Sequence, residues 1–200
     1  GSVSHVAADL SSGTNFIYQT VNDKELGTFL QSMAFSEENA YITVDNTHSI
    51  TVVDRYTFQE ITVINEDLEH PRYMAIKDGT GYATNWGSTA DSNDDYIAVL
   101  DLTTNTVIKT IPVGMGPERI VAHENKLYVS HKGAFGTNNI ISVINFDDPY
   151  GLMGCVAISS RTGLVSGMPY VAAVDEKIMC LTPDEMAVSI KLRLFAVLLL

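Results

Sequence analysis

The chain has 200 residues, of which 46% are hydrophobic and 18% charged, and its formal net charge is −12. That composition excludes a disordered chain. The acidity argues against nucleic acid and against docking on an anionic membrane, since both need a basic footprint. Residues 1–150 hold 20 Asp/Glu against 8 Lys/Arg, whereas residues 151–200 hold 4 of each together with both cysteines, Cys155 and Cys180. Two cysteines leave two readings open, a pair of free buried thiols or one disulfide.

Residues 1–5 show no basic stretch followed by an apolar one, so no leader is expected there. The first element is expected at Asn15–Val21, read as a strand between Ser11-Ser12-Gly13 and Asn22-Asp23-Lys24. From residue 25 a unit repeats. Leu30–Phe35, Tyr41–Val44, Ile50–Asp54 and Glu60–Ile64 alternate β-branched and polar residues and read as four strands. The set returns as Pro71–Ile76, Tyr82–Asn85, Tyr96–Asp101 and Val107–Ile111, with a turn at Lys77–Gly81. It starts a third time with Pro117–Ala122, Tyr128–His131 and Ile140–Asn145. In each unit a tyrosine opens the second strand and an acid or amide closes the third. Tyr41, Tyr82 and Tyr128 stand 41 and 46 positions apart. Four short strands in a period of about 40–45 residues mark a β-propeller blade. The expected fold is all-β, a β-propeller or partial propeller of four-stranded antiparallel blades.

After Asn145 the pattern weakens. Met168–Leu181 has a proline, an apolar strand, an Asp-Glu-Lys turn and a second apolar strand, but Met179 replaces the tyrosine, and Pro183–Met186 fits a short helix instead. The apolar end, residues 192–200, is too short to span a bilayer, so no membrane insertion is expected. The expected organisation is a partial blade or N-terminal strand at 1–24, three blades at 25–148, and a degenerate blade or aberrant tail at 149–200. Propellers close with four to eight blades. Three clear blades leave open edges that invite pairing with another chain, so the chain is either part of a longer propeller or one that assembles into an oligomer.

Asp101–Gly114 followed by Gly116-Pro117, and the tetrapeptide Tyr82-Ala83-Thr84-Asn85, resemble the YVTN family of β-propeller repeats, and more broadly the surface-layer-like propeller proteins of Bacteroidetes. The resemblance covers about residues 25–148. It implies a cell-envelope or extracellular location and no particular activity.

In such a blade the loops joining strands 2–3 and 4–1 emerge together, here 45–49, 86–95 and 132–139 with 65–71 and 112–118. Variable loops on a repeated scaffold are where binding is placed. Gln31, Arg72 and Arg119 are read as one repeated position, where arginine either holds an anion or pairs with an acid such as Asp54 or Asp101. Trp86 either stacks on a sugar or aromatic ligand or packs between blades. Asn85 and His131 end their strands beside the same loops, and with Arg72, Arg119 and Trp86 they form the candidate ligand-binding set. Asp91, Asn93 and Asp95 place oxygens at positions 1, 3 and 5 of a calcium-type loop. Tyr96 and Leu102 replace the glycine and glutamate that such a loop needs, so a solvated acidic loop is the alternative. His5, His48, His70, His123 and His131 have no metal-ligand spacing, although His48, His70 and His131 share the loop face and His123 belongs to an exposed turn opposite.

No P-loop, dinucleotide fingerprint, nucleophile elbow or zincin motif is present. No cofactor other than that calcium site is expected, and no catalytic residue is assigned. The reading that follows is a non-catalytic envelope or secreted module that binds a protein, glycan or small ligand on its loop face. The alternatives are a propeller enzyme, lactonase-like or dehydrogenase-subunit-like, and an assembly element pairing through open edges.

Overall fold

The computed structural model describes residues 1–91, 93–134, 136, 138 and 140–146, and the backbone of strands at 148–157, 170–174 and 177–181. The chain divides into two units, Gly1–Val113 and Gly114–Leu200. In the first, β1 (His5–Val6), β2 (Gly13–Thr14) and α1 (Ile17–Asn22) precede two sheets. One sheet is β3 (Leu30–Phe35), β4 (Asn39–Val44), β5 (Ser49–Asp54) and β6 (Glu60–Ile64); the other is β7 (Pro71–Lys77), β8 (Thr80–Asn85), β9 (Tyr96–Asp101) and β10 (Thr106–Pro112). Each is a four-stranded antiparallel meander in chain order. The second unit holds a third such meander of β11 (Pro117–His123), β12 (Lys126–His131), β13 (Ile140–Asn145) and β14 (Asp148–Ala157), then a hairpin of β15 (Tyr170–Val174) and β16 (Lys177–Leu181).

The repeat is exact in register. Tyr41 lies between Ala34 and Val52, Tyr82 between Ala75 and Val99, and Tyr128 between Val121 and Val143. Each tyrosine thus has small or β-branched cross-strand neighbours, which suits a pleated, packed face. The acid closing the third strand has a local task. Asp54 Oδ1 accepts the backbone N–H groups of Tyr56 (2.9 Å) and Thr57 (2.7 Å), and Asp101 Oδ1 accepts that of Thr103 (2.8 Å). These are Asx turns that start the return to the fourth strand. The same N–H donors hold both carboxyls below the usual carboxylate range. Asp78 (φ 50°) and Gly79 (φ 76°) form the two-residue turn between β7 and β8, where both residues must be left-handed.

A blade buries both faces. Tyr41, Ile50, Val52 and Ile64 of the first blade meet Met74, Ala83, Ala98 and Leu100 of the second, with Leu68 between them. On the other face of the first blade, Ala40, Ile42, Val44 and Val53 are covered by Tyr18 and Leu26 from the N-terminal segment.

Two sequence expectations change. Residues 15–21 are not a strand, because Ile17–Asn22 is helical between left-handed Phe16 and Asp23. Helical spacing sets Tyr18 and Asn22 about 6 Å apart along the axis, where a strand would set them about 13 Å apart. Tyr18 is then buried with its hydroxyl on Glu60. Asn22 Nδ2 donates to the carbonyls of Tyr18 and Phe58, both at 3.0 Å, and its Oδ1 accepts Glu60 N–H at 2.8 Å. The third sheet also runs past residue 148, since β14 supplies its fourth strand. The expected apolar hairpin after residue 168 is present as β15 and β16, whereas the short helix at 183–186 and the side chains of Cys155 and Cys180 lie outside the described residues.

Asn22→Ala removes two bonds between the helix and the Phe58–Glu60 segment and one within the helix. It is expected to lower unfolding free energy by about 1–3 kcal/mol, measured by urea denaturation, with the β-sheet circular dichroism retained.

Candidate functional site

Three loops of the first unit meet through side chains. They are the β4–β5 loop with Asp45 and His48, the β6–β7 connection with His70, and the β8–β9 loop with Trp86. Asp45 is the common acceptor. Its Oδ1 faces His70 Nδ1 at 2.6 Å. Its Oδ2 accepts Arg72 Nη1 and, at 3.3 Å, Gln31 Nε2. The Arg72 side chain is 8% exposed and that of Asp45 15%. The indole of Trp86 covers the guanidinium, with Arg72 Cζ 3.9 Å from the ring centroid. His70 N–H donates to His48 Nδ1 at 3.0 Å, and the two rings meet edge to face, 4.4 Å between centroids. Both histidines hold left-handed backbones, φ 49° and 48°.

A clip repeats at the strand ends. Each strand-1 entry is preceded, two residues upstream, by a backbone group fixed to the second strand's end or to the loop just after it. Thr28 N–H donates to Asn46 Oδ1 (3.0 Å) and Glu69 N–H to Asn85 Oδ1 (3.2 Å), while His131 Nδ1 donates to the Met115 carbonyl (3.2 Å). Asn85 and His131, both expected at the ligand surface, are fully buried and do this instead. His131 also accepts from Ser142 Oγ at 2.8 Å through Nε2, so neither ring nitrogen is left for a ligand. Burial pushes its pKa down, partly opposed by the backbone carbonyls of Met115 and Gly114.

The supposed arginine repeat is out of register. Pro71 pairs with Asn85 and Pro117 with His131, so Arg72 corresponds to Glu118, not Arg119. Burial agrees, with Arg72 at 7% and Glu118 at 3% exposed and Arg119 half-buried like Tyr73. The first strand of each blade carries a bulge at this point, and the carbonyls of Ser32, Tyr73 and Arg119 accept Thr43, Thr84 and Ser130 hydroxyls. Arg72 does pair with an acid, but the acid is Asp45. Asp54 and Asp101 are occupied in their turns.

Trp86 is half-buried on Arg72, midway between the two sequence readings. In the acidic loop, Asp91 Oδ1 accepts the backbone N–H (2.9 Å) and Nδ2 (3.2 Å) of Asn93, both residues exposed, whereas Asp95 is 2% exposed; Ser92 lies outside the described residues. Tyr96 beside them is pushed up to about 12 by burial, with Glu69, Asp67 and Asp94 adding to the rise. Among the described residues no three His, Cys, Asp or Glu side chains gather as a metal site. His123, expected exposed, closes β11 opposite Lys126 and is half-buried. Sequence reasoning missed Asp45, whose signal was faint, a lone acid directly after a β-strand. His48 and His70 were placed on this face, but their contact was not foreseen.

No protein-family model and no curated protein matches the sequence. Solved structures do. Hydrazine synthase of Kuenenia stuttgartiensis aligns with TM-score 0.67 at 15% identity over 95% of this chain and 61% of that one. A chain of the mitotic checkpoint complex aligns with TM-score 0.62 at 10% identity over 88% and 48%. Dihydro-heme d1 dehydrogenase NirN aligns with TM-score 0.51 at 13% identity over 86% and 37%. The chain therefore spans about three-fifths of the first and less of the others. At these identities the likeness speaks for fold alone. With the three meanders it defines the chain as all-β, a β-propeller or part of one.

Two outcomes follow for stability. Arg72→Ala and Asp45→Ala each remove one partner of a largely buried ion pair and are expected to cost about 3–5 kcal/mol. The double variant should cost less than the sum, as read in a denaturation double-mutant cycle. His131 has a depressed pKa in the folded chain. Above its ordinary value of 6.5 it is neutral folded or unfolded. As pH falls below that value the unfolded chain binds a proton that the buried ring refuses, so stability drops by up to ~1.4 kcal/mol per pH unit. His131→Gln should flatten that slope in unfolding curves recorded between acidic and neutral pH.

Proposed function

We propose that this chain is a β-propeller binding module of the YVTN-repeat type, placed in the cell envelope or secreted, that captures a ligand on the face built by the β4–β5, β6–β7 and β8–β9 loops. The observation that carries this reading is the Asp45–Arg72–Trp86 stack. It locks three loops to two blades before any ligand arrives, and a rigid surface loses less entropy on binding. The buried, paired arginine is a scaffold rather than an anion clamp. What the loops present outward is His48, His70 and the exposed part of the half-buried Trp86.

The enzyme alternative draws on the Asp45–His70 contact, which has the form of a base held by a carboxylate. Hydrazine synthase and NirN are enzymes on similar folds, while the checkpoint complex is an assembly. The binding reading is favoured because the carboxylate that would hold the base is already paired with the Arg72 guanidinium.

Trp86 is the one tryptophan of the chain, so its emission reports this face alone. A ligand captured from protein or glycan arrays is expected to shift the emission maximum, and Trp86→Phe, which keeps a ring over Arg72, should weaken capture about tenfold, or ~1.4 kcal/mol. A captured ligand that leaves the emission unchanged would place binding elsewhere.

A further inference from the structure

The tautomers of the two loop imidazoles follow from their partners. His48 Nδ1 accepts the His70 backbone N–H, so it carries no proton, and the proton of the neutral ring sits on Nε2. Asp45 Oδ1 can only accept, so His70 Nδ1 carries a proton, and in the neutral ring its Nε2 keeps a lone pair. Neither Nε2 has a hydrogen-bond partner among the described residues, and Asn105 Oδ1 is the one buried side-chain polar atom there without a partner. Both Nε2 atoms therefore open to solvent. The His70 side chain is 25% exposed and His48 is half-buried. Two touching rings thus offer one donor and one acceptor side by side.

We propose that the ligand of this face is a neutral carbohydrate, recognised by His48 Nε2–H donating to one hydroxyl oxygen and His70 Nε2 accepting from a neighbouring hydroxyl. The inference rests on the binding reading above and names its ligand class. A hydroxyl group is both donor and acceptor, so adjacent hydroxyls satisfy the pair in either order. An anion is disfavoured because Arg72 is neutralised by Asp45 and the chain carries −12. A divalent metal is disfavoured because only one outward nitrogen holds a lone pair while the other carries its proton. An apolar peptide would leave both nitrogens desolvated and unpaired, at a cost. Trp86 follows the pair through its backbone N–H, bonded to the His70 carbonyl at 3.3 Å, and its indole over Arg72 gives the C–H face of a sugar ring an aromatic neighbour.

The test uses the full chain with 15N-labelled histidine. Two-bond 1H–15N spectra at neutral pH should show His48 protonated on Nε2 and His70 on Nδ1, and the opposite assignment at either ring overturns the proposal. Maltotriose, cellotriose and N-acetylchitotriose are then titrated, with digalacturonate as the anionic control. At least one neutral trisaccharide is expected to move both Nε2 resonances together with Trp86 emission, and His48→Gln to weaken it tenfold or more while unfolding as the parent does. Digalacturonate binding more tightly than every neutral probe overturns the proposal. So does silence of both imidazoles with all three neutral probes. If a protein ligand shifts Trp86 emission while the imidazoles stay silent, the carbohydrate class falls and the binding face stands. If nothing captured on arrays moves the emission, the binding reading falls as well.

Discussion

A four-stranded blade has two apolar faces, and neither is stable against water. In the first unit this constraint organises everything else. One face of the first blade closes on the second blade through Tyr41, Ile50 and Val52 against Met74, Ala83 and Leu100. The other needs a cover, and the N-terminal segment supplies it with Tyr18 and Leu26. A helix serves there better than another strand. It turns one large side chain inward and leaves Asn22 to satisfy the backbone of the neighbouring turn, as terminal caps do in repeat proteins.

The loop face inherits its order from the same packing. Ser32 and Thr43 hydroxyls of the first blade both donate to the Arg72 carbonyl, at 2.9 and 3.0 Å, so the start of β7 is fixed to its neighbour before its side chain is considered. The guanidinium then has one direction in which to find a charge, toward Asp45. Once Asp45 holds Arg72 with one oxygen, the other is left to orient His70. A buried ion pair of this kind adds little net stability over an apolar pair, and its better-attested effect is to specify one arrangement. Here that arrangement is the relative position of three loops.

The blades were legible because strand alternation and turn chemistry are local. The alternation of β-branched and polar residues, the Asp-Gly turn at 78–79 and the Asx acids at 54 and 101 each act within a few residues. The rest was less legible for three separate reasons. The arginine repeat failed by one position, because the prolines at 71 and 117 mark the register and put Glu118, not Arg119, at the place of Arg72. Residues 15–21 failed because Ile17, Tyr18 and Val21 fit a short strand as well as a helical turn. A run of that length does not carry enough period to decide. Asp45 was invisible for a third reason, since its partners lie 14, 25 and 27 positions away along the chain.

The amino-acid sequence by itself determined the repeat, most of its strands and the all-β class, since each follows from interactions between near neighbours. Only the tertiary structure decided that the N-terminal segment is a helix-bearing cover, that Asn85 and His131 are buried clips and that Arg72 answers to Asp45. Those outcomes depend on which apolar face lacks a cover and which charge stands nearest in space. Neither quantity exists until the blades have packed.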